Sequence, residues 1–210
     1  MENPKLKPIL NADDLLEAIM DSLSKLENKL QGETPNAIFL WNKYPESKED
    51  RSTEYKHTPK DENDFSDFIK THLTEDLKNR GVIAQREVEI RRGQGDNKGE
   101  RTDIYESFYI QSKEVLVKVI IEVKGCWHIE VETAMKTQLL DRYLNENDCN
   151  HGIYLVGWYS CKQWTENNSK KNRIKAKNIS EARSQFDNQA KGLSTGNKKI
   201  KACVLNCALR

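Results

Sequence analysis

Arg101-Thr102-Asp103-Ile104-Tyr105-Glu106-Ser107-Phe108-Tyr109-Ile110-Gln111-Ser112-Lys113-Glu114-Val115-Leu116-Val117-Lys118-Val119-Ile120-Ile121-Glu122-Val123-Lys124 is the stretch on which the fold turns. Its second half is an apolar run, Val115 to Ile121, that ends on a carboxylate and an ammonium two residues apart. Strand alternation puts residues i and i+2 on one face, so Glu122 and Lys124 point the same way. If the chain folds back at Gln111-Ser112-Lys113, a two-residue loop at Ser112-Lys113 pairs positions whose numbers sum to 225. Asp103 then stands opposite Glu122, with the two Cβ atoms about 5 Å apart. Like charges so placed destabilise a sheet unless something neutralises them. A divalent cation would do so, with Lys124 as the third party.

Outward from this hairpin, the periodicities predict an amphipathic helix over 13–30, capped by Asn11 and stopped by Gly32, with Leu15, Leu16, Ile19, Leu23, Leu26 and Leu30 on its apolar stripe. Residues 34–60 hold three prolines and many charges and read as an irregular connector, held down by Trp41. A second helix is expected over 62–80, with Gly81 as its stop, then a strand over 82–92, a glycine loop over 93–99, and the two hairpin strands, 102–110 and 114–124. A helix over 129–144, a doubly buried strand over 152–159, a helix over 180–190 capped by Ser180 and a last strand over 200–207 complete the order. From Glu62 onward this is α-β-β-β-α-β-α-β. Right-handed crossover makes the strand after the 129–144 helix parallel to the one before it. The expected fold class is α/β, a mixed central sheet flanked by helices. Residues 1–60 would form an N-terminal helical arm and connector, and residues 61–210 one domain.

Composition narrows the function classes. Charged residues make up 32% of the chain, and no run approaches the length of a membrane span, which predicts a soluble, cytoplasmic protein without a membrane partner. The five cysteines are odd in number and widely spaced, with no Cys-x-x-Cys, which argues for free thiols rather than a zinc site or disulfide scaffold. Net charge is only +1, but residues 161–210 carry twelve Lys and Arg against three Asp and Glu, a local balance of +9. Such a segment either contacts phosphate or is a solvated face. Gly93-Gln94-Gly95 lacks the Lys-Ser/Thr of a phosphate-binding loop.

Asp103, the hairpin and Glu122-Val123-Lys124 together resemble the active-site signature of the PD-(D/E)XK nuclease superfamily, the restriction-endonuclease-like fold. The resemblance covers roughly residues 61 to 205 in element order. Thr102 stands where the family has Pro. Gln138 and Tyr143 resemble the Gln…Tyr helix of one branch, at a spacing of five rather than four. The resemblance implies a Mg²⁺-dependent deoxyribonuclease, with Mn²⁺ able to substitute. Asp103, Glu122 and the Val123 carbonyl would hold the metal, and Lys124 would orient the attacking water. Gln138 would fix Lys124 or that water. Glu62, on the first core helix, would complete the metal site, although Asp61 and Asp64 compete for that role and a carboxylate there also suits the helix dipole. Arg91, Arg92 and Lys98 flank the glycine loop, as a clamp on the nucleic-acid backbone or as ordinary solvated loop charges, and Arg101 either contacts phosphate or pairs with Glu100 or Glu89.

Leu40-Trp41-Asn42, Arg86-Glu87-Val88, Arg101-Thr102-Asp103, Ile121-Glu122-Val123-Lys124-Gly125, Gln138-Leu139 and Gly152-Ile153-Tyr154-Leu155-Val156 also look like the C-terminal nuclease module of large bacterial multidomain proteins. That likeness implies an effector in defence or DNA processing, with further domains of a longer chain as partners. Two alternatives stay open: a nucleic-acid-binding module that keeps the fold without turnover, and an RNA-cleaving effector, since nothing in the sequence reads a 2′-hydroxyl.

Overall fold

The computed structural model describes residues 8–45, 55–86, 89–91, 100–101, 104–110, 115–146, 149–165 and 169–210, with only the backbone at 85–86, 89–91, 100–101, 105–110 and 115. Helix α1 (Ala12–Gln31) begins where Asn11 accepts the Asp14 N–H at 3.0 Å. A short 3-10 turn, Asn36–Leu40, leads into a two-stranded antiparallel hairpin, β1 (Trp41–Pro45) and β2 (Tyr55–Pro59). Sequence had marked this region only as a connector. Helix α2 (Glu62–Leu77) closes through a 3-10 turn onto Gly81, whose φ of 72° is the left-handed value that a side chain would resist.

Of the expected strand over 82–92, residues 83–86 and 89–91 are described as extended. β3 (Ile83–Arg86) pairs with the main sheet, and β4 (Glu89–Arg91) pairs antiparallel with β5 (Glu100–Arg101), Glu89↔Arg101 keeping the register sum of the β3 pairs. β6 (Ile104–Ile110) and β7 (Val115–Gly125) pair antiparallel from Ile104↔Ile121 to Ile110↔Val115. Every described pair sums to 225, the register read from the sequence. Asp103 and the turn at 111–114 lie outside the described residues.

Residues 129–133 form turns, and the helix that follows, Met135–Leu144, is wound as a π-helix. β8 (His151–Trp158) and β9 (Lys199–Asn206) enclose α3 (Ile179–Leu193) in sequence. The α3 cap is Asn178, which accepts the Glu181 N–H, and not Ser180. The five-stranded sheet runs β3-β6-β7-β8-β9, antiparallel as far as β7 and parallel from β7 to β9. It is a mixed, open α/β sheet.

The two faces are told apart by their glycines. A Cβ on Gly152 would meet Leu139 and Leu144 of the π-helix, at 3.0 Å each, and one on Gly157 would meet Phe65 of α2 at 2.8 Å. Even-numbered β8 residues therefore face the π-helix and α3, and odd-numbered ones face α1 and α2. All six apolar-stripe residues of α1 are buried in the same core as the sheet, and α1 packs along α2, β7, β8 and β9. Among the described residues no helix is long and apolar enough to cross a membrane.

Candidate active site at the carboxyl end of β7

β7 is the central strand, and its carboxyl end carries the charge. Glu122 pairs in register with Tyr154 and Lys124 with Val156, so both side chains lie on the face of the π-helix and α3. Both are buried, at 1% and 7% exposure, and Lys124 Nζ donates to Glu122 Oε1 at 2.5 Å. Taking two charges out of water costs several kcal/mol per ion, and well-packed apolar side chains commonly do as well or better. Stability therefore does not account for the pair, and buried ionisable groups at a strand end are where chemistry concentrates.

Described β6 begins at Ile104, opposite Ile121, so residues 122–125 continue past the last described pair on that side. Cys126 N–H donates to Gly157 O on β8 at 2.9 Å. Gly125 N–H, one residue earlier, faces the opposite edge, and there Glu62 Oε1 accepts it at 2.7 Å. By the same alternation Val123 turns its carbonyl towards that edge. The acidic residues at the start of α2 make different contacts. Asp61 Oδ1 caps the helix by accepting the Asp64 N–H at 2.9 Å, and Glu62 reaches to the strand.

Two features here were not read from the sequence. The Glu62 carboxylate spans from Gly125 N–H to His128, whose Nε2 lies 3.8 Å from Glu62 Oε2. His128 Nδ1 accepts the Glu130 N–H at 3.1 Å, so in the neutral ring the proton sits on Nε2, the nitrogen turned to Glu62. A His three residues past the Gly at the strand end was the available signal, but only the α2 contact gives it meaning. Cys126 sits in the same turn, yet burial pushes its thiol up to about 12, which disqualifies it as a nucleophile.

Gln138 lies on the π-helix, and its Nε2 donates to Glu130 Oε2 at 2.7 Å rather than to Lys124. The spacing of five between Gln138 and Tyr143 acquires a physical reading from the winding. Asn145 N–H bonds Leu140 O, an i→i+5 link. Residues five apart in such a helix stand one turn above another, as residues four apart do in an α-helix.

Arg91 and Arg101 lie on the β4–β5 ribbon, where Glu89 is the register partner of Arg101 and Glu100 that of Arg91. Asp103, Arg92 and Lys98 lie outside the described residues. Among the described residues, no three His, Cys, Asp or Glu side chains gather as a metal site. The structure thus brings Glu122, Val123, Lys124 and Glu62 to one strand end, and leaves Gln138 bonded to Glu130. No protein-family model, curated protein or solved structure matches this chain.

Proposed function

We propose that this protein is a metal-dependent nuclease that hydrolyses DNA phosphodiesters, built on a restriction-endonuclease-like sheet. The observation that carries the reading is the buried Glu122–Lys124 pair at the end of the central strand, with Glu62 brought to the same strand end from α2. The donor chemistry suits Mg²⁺: Glu122 and Glu62 offer carboxylate oxygens and Val123 a carbonyl oxygen, the hard ligands this ion takes. With Asp103 they are the residues that would hold it. When bound, the ion supplies Lewis-acid polarisation of the phosphate and a lower pKa for bound water.

The chain's own groups do the rest. Lys124, fixed by its bond to Glu122, presents a compact positive charge where negative charge grows on the phosphorane, at no cost of reorganisation. Its surroundings exclude bulk water, which strengthens that interaction. Gly125 N–H holds Glu62 in place, and Glu62 ties the start of α2 to the reacting strand.

The test is cleavage of supercoiled plasmid, linear duplex, single-stranded DNA and RNA by purified protein in Mg²⁺, each repeated in EDTA. Plasmid nicking abolished by EDTA is the expected result. Cleavage of RNA alone would move the reading to an RNA-cleaving effector. Binding without cleavage in Mg²⁺ or Mn²⁺ would leave a nucleic-acid-binding module.

A further inference from the structure

Basic residues 162–177 follow β8 and were read from sequence only as part of a positively charged tail. They comprise six Lys and Arg against a single acid, Glu166. The structure divides these cations into two groups. Lys170 Nζ stands 5.0 Å from the centroid of the Trp127 ring, a cation–π distance. Lys171 Nζ donates to Trp164 O at 2.9 Å, and Lys175 pairs with Glu132. Ile174 and Ala176 pack against the hydrophobic core between these anchors. Lys170, Lys175, Ile174 and Ala176 therefore fasten residues 169–177 to Trp127, Glu132 and the core, and Lys171 ties them back to Trp164. Trp127 is three residues past Lys124.

The other three cations, Lys162, Arg173 and Lys177, are exposed and form no ion pair among the described residues. Lys162 follows the carboxyl end of β8 by four residues, and β8 is parallel to β7, so this segment rises from the same end of the sheet as Lys124. In open α/β sheets ligands bind outside the carboxyl ends of the strands. An anchored segment with its uncommitted charges outward is suited to a polyanion of fixed spacing. It keeps little conformational freedom to lose on binding.

We propose that residues 162–165 and 169–177 form a phosphate-contacting wall, in which Lys162, Arg173 and Lys177 engage the backbone of a nucleic acid whose scissile bond lies at Lys124, while Lys170, Lys171 and Lys175 hold the wall in place. The inference rests on the nuclease reading for its substrate and adds the surface that binds it. It also separates residues that a purely compositional reading would neutralise together.

The test is equilibrium binding of a labelled DNA duplex in Ca²⁺, measured across a salt series. It compares wild type, the triple variant Lys162→Gln/Arg173→Gln/Lys177→Gln, and a control, Lys191→Gln/Lys201→Gln, which alters exposed lysines on α3 and β9. Melting curves of all three proteins accompany it, because surface changes should leave them within a few degrees. Each phosphate contact contributes about 0.9 to the log–log salt slope. The triple variant should lose about 2 to 3 from that slope and bind at least about tenfold more weakly at moderate salt, with the control unchanged. A triple variant with the wild-type slope and affinity overturns the wall, as does an equal loss in the control. Cleavage of plasmid in Mg²⁺ is scored separately. A steep slope lost in the triple variant but no cleavage by wild type would keep the wall and sink the nuclease reading. Cleavage with an unchanged slope would do the reverse.

Discussion

At the scale of single residues, the Glu122–Lys124 pair has consequences for stability as well as chemistry. Each partner neutralises the other in a site nearly closed to water. Removing one breaks a buried ion pair, at a typical cost of about 3 to 5 kcal/mol. Glu122→Ala and Lys124→Met should each lower stability by that order. The double substitution Glu122→Leu/Lys124→Met should cost clearly less than the two together. Urea unfolding of the four proteins closes the cycle, and strictly additive losses would show that the pair is not coupled. Gly125 is equally constrained. A Cβ there would fall 2.6 Å from the Trp127 ring, so Gly125→Ala must displace either the indole or the strand end that holds Glu62.

Elements show what could be read before the structure and what could not. The hairpin register was legible because a two-residue loop at Ser112-Lys113 fixes the pairing of the two strands that flank it. The α1 cap was legible because Asn11 precedes an unbroken apolar stripe. The β1–β2 hairpin was not, since prolines 35, 45 and 59 and a charged middle mask short strands that depend on Trp41 for their anchorage. Trp41 packs on Tyr159 and Trp164 and donates from Nε1 to Cys207 O at 2.8 Å, contacts that are more than a hundred residues away in sequence. The π-winding of 135–144 was likewise illegible, because 3.6-residue periodicity is the pattern being sought. Nor could Glu62 be separated from Asp61 without the fold that brings Gly125 N–H to α2.

The α1–α2 contact makes its own prediction. His72 is buried, donates from Nε2 to Ser22 O at 2.9 Å, and meets Lys29 on its other nitrogen. Burial holds its pKa below the ordinary 6.5, with the Lys29 ammonium adding to the effect and the Ser22 carbonyl, Asp76 and Glu75 opposing it. The unfolded chain therefore binds the proton more readily than the folded one. This contribution to stability is complete above about 6.5 and is lost as pH falls from there towards the folded value. Thermal melts between pH 7.5 and 5 should show the loss in wild type. His72→Gln, which keeps an N–H donor without a titration near 6.5, should be flatter over that window. Parallel curves for the two proteins would assign the pH dependence to other groups.

For the molecule as a whole, one sheet with helices on both faces positions a single charged strand end. Helix α1 belongs to that construction. Its six buried Leu and Ile side chains each contribute about 1.5 to 3 kcal/mol by burial, which together rivals the about 5 to 15 kcal/mol of a typical domain's net stability. Deleting residues 1–32 should abolish cooperative unfolding, as calorimetry would show. A truncated chain that melts like wild type would mean that the sheet needs no cover from α1. The basic residues that follow β8 rise from the same end of the sheet as Lys124, so the proposed chemistry and the proposed binding surface share that end. The most direct measurement of that claim is single-turnover cleavage of a labelled DNA duplex in Mg²⁺ by wild type and Lys124→Met, at a temperature where melts show both folded. Binding of the same duplex is measured in Ca²⁺. The expected result is a rate lower by about 10² to 10³ in the variant, with affinity changed far less. Cleavage by Lys124→Met at the wild-type rate would contradict the assignment of the β7 end as the catalytic centre.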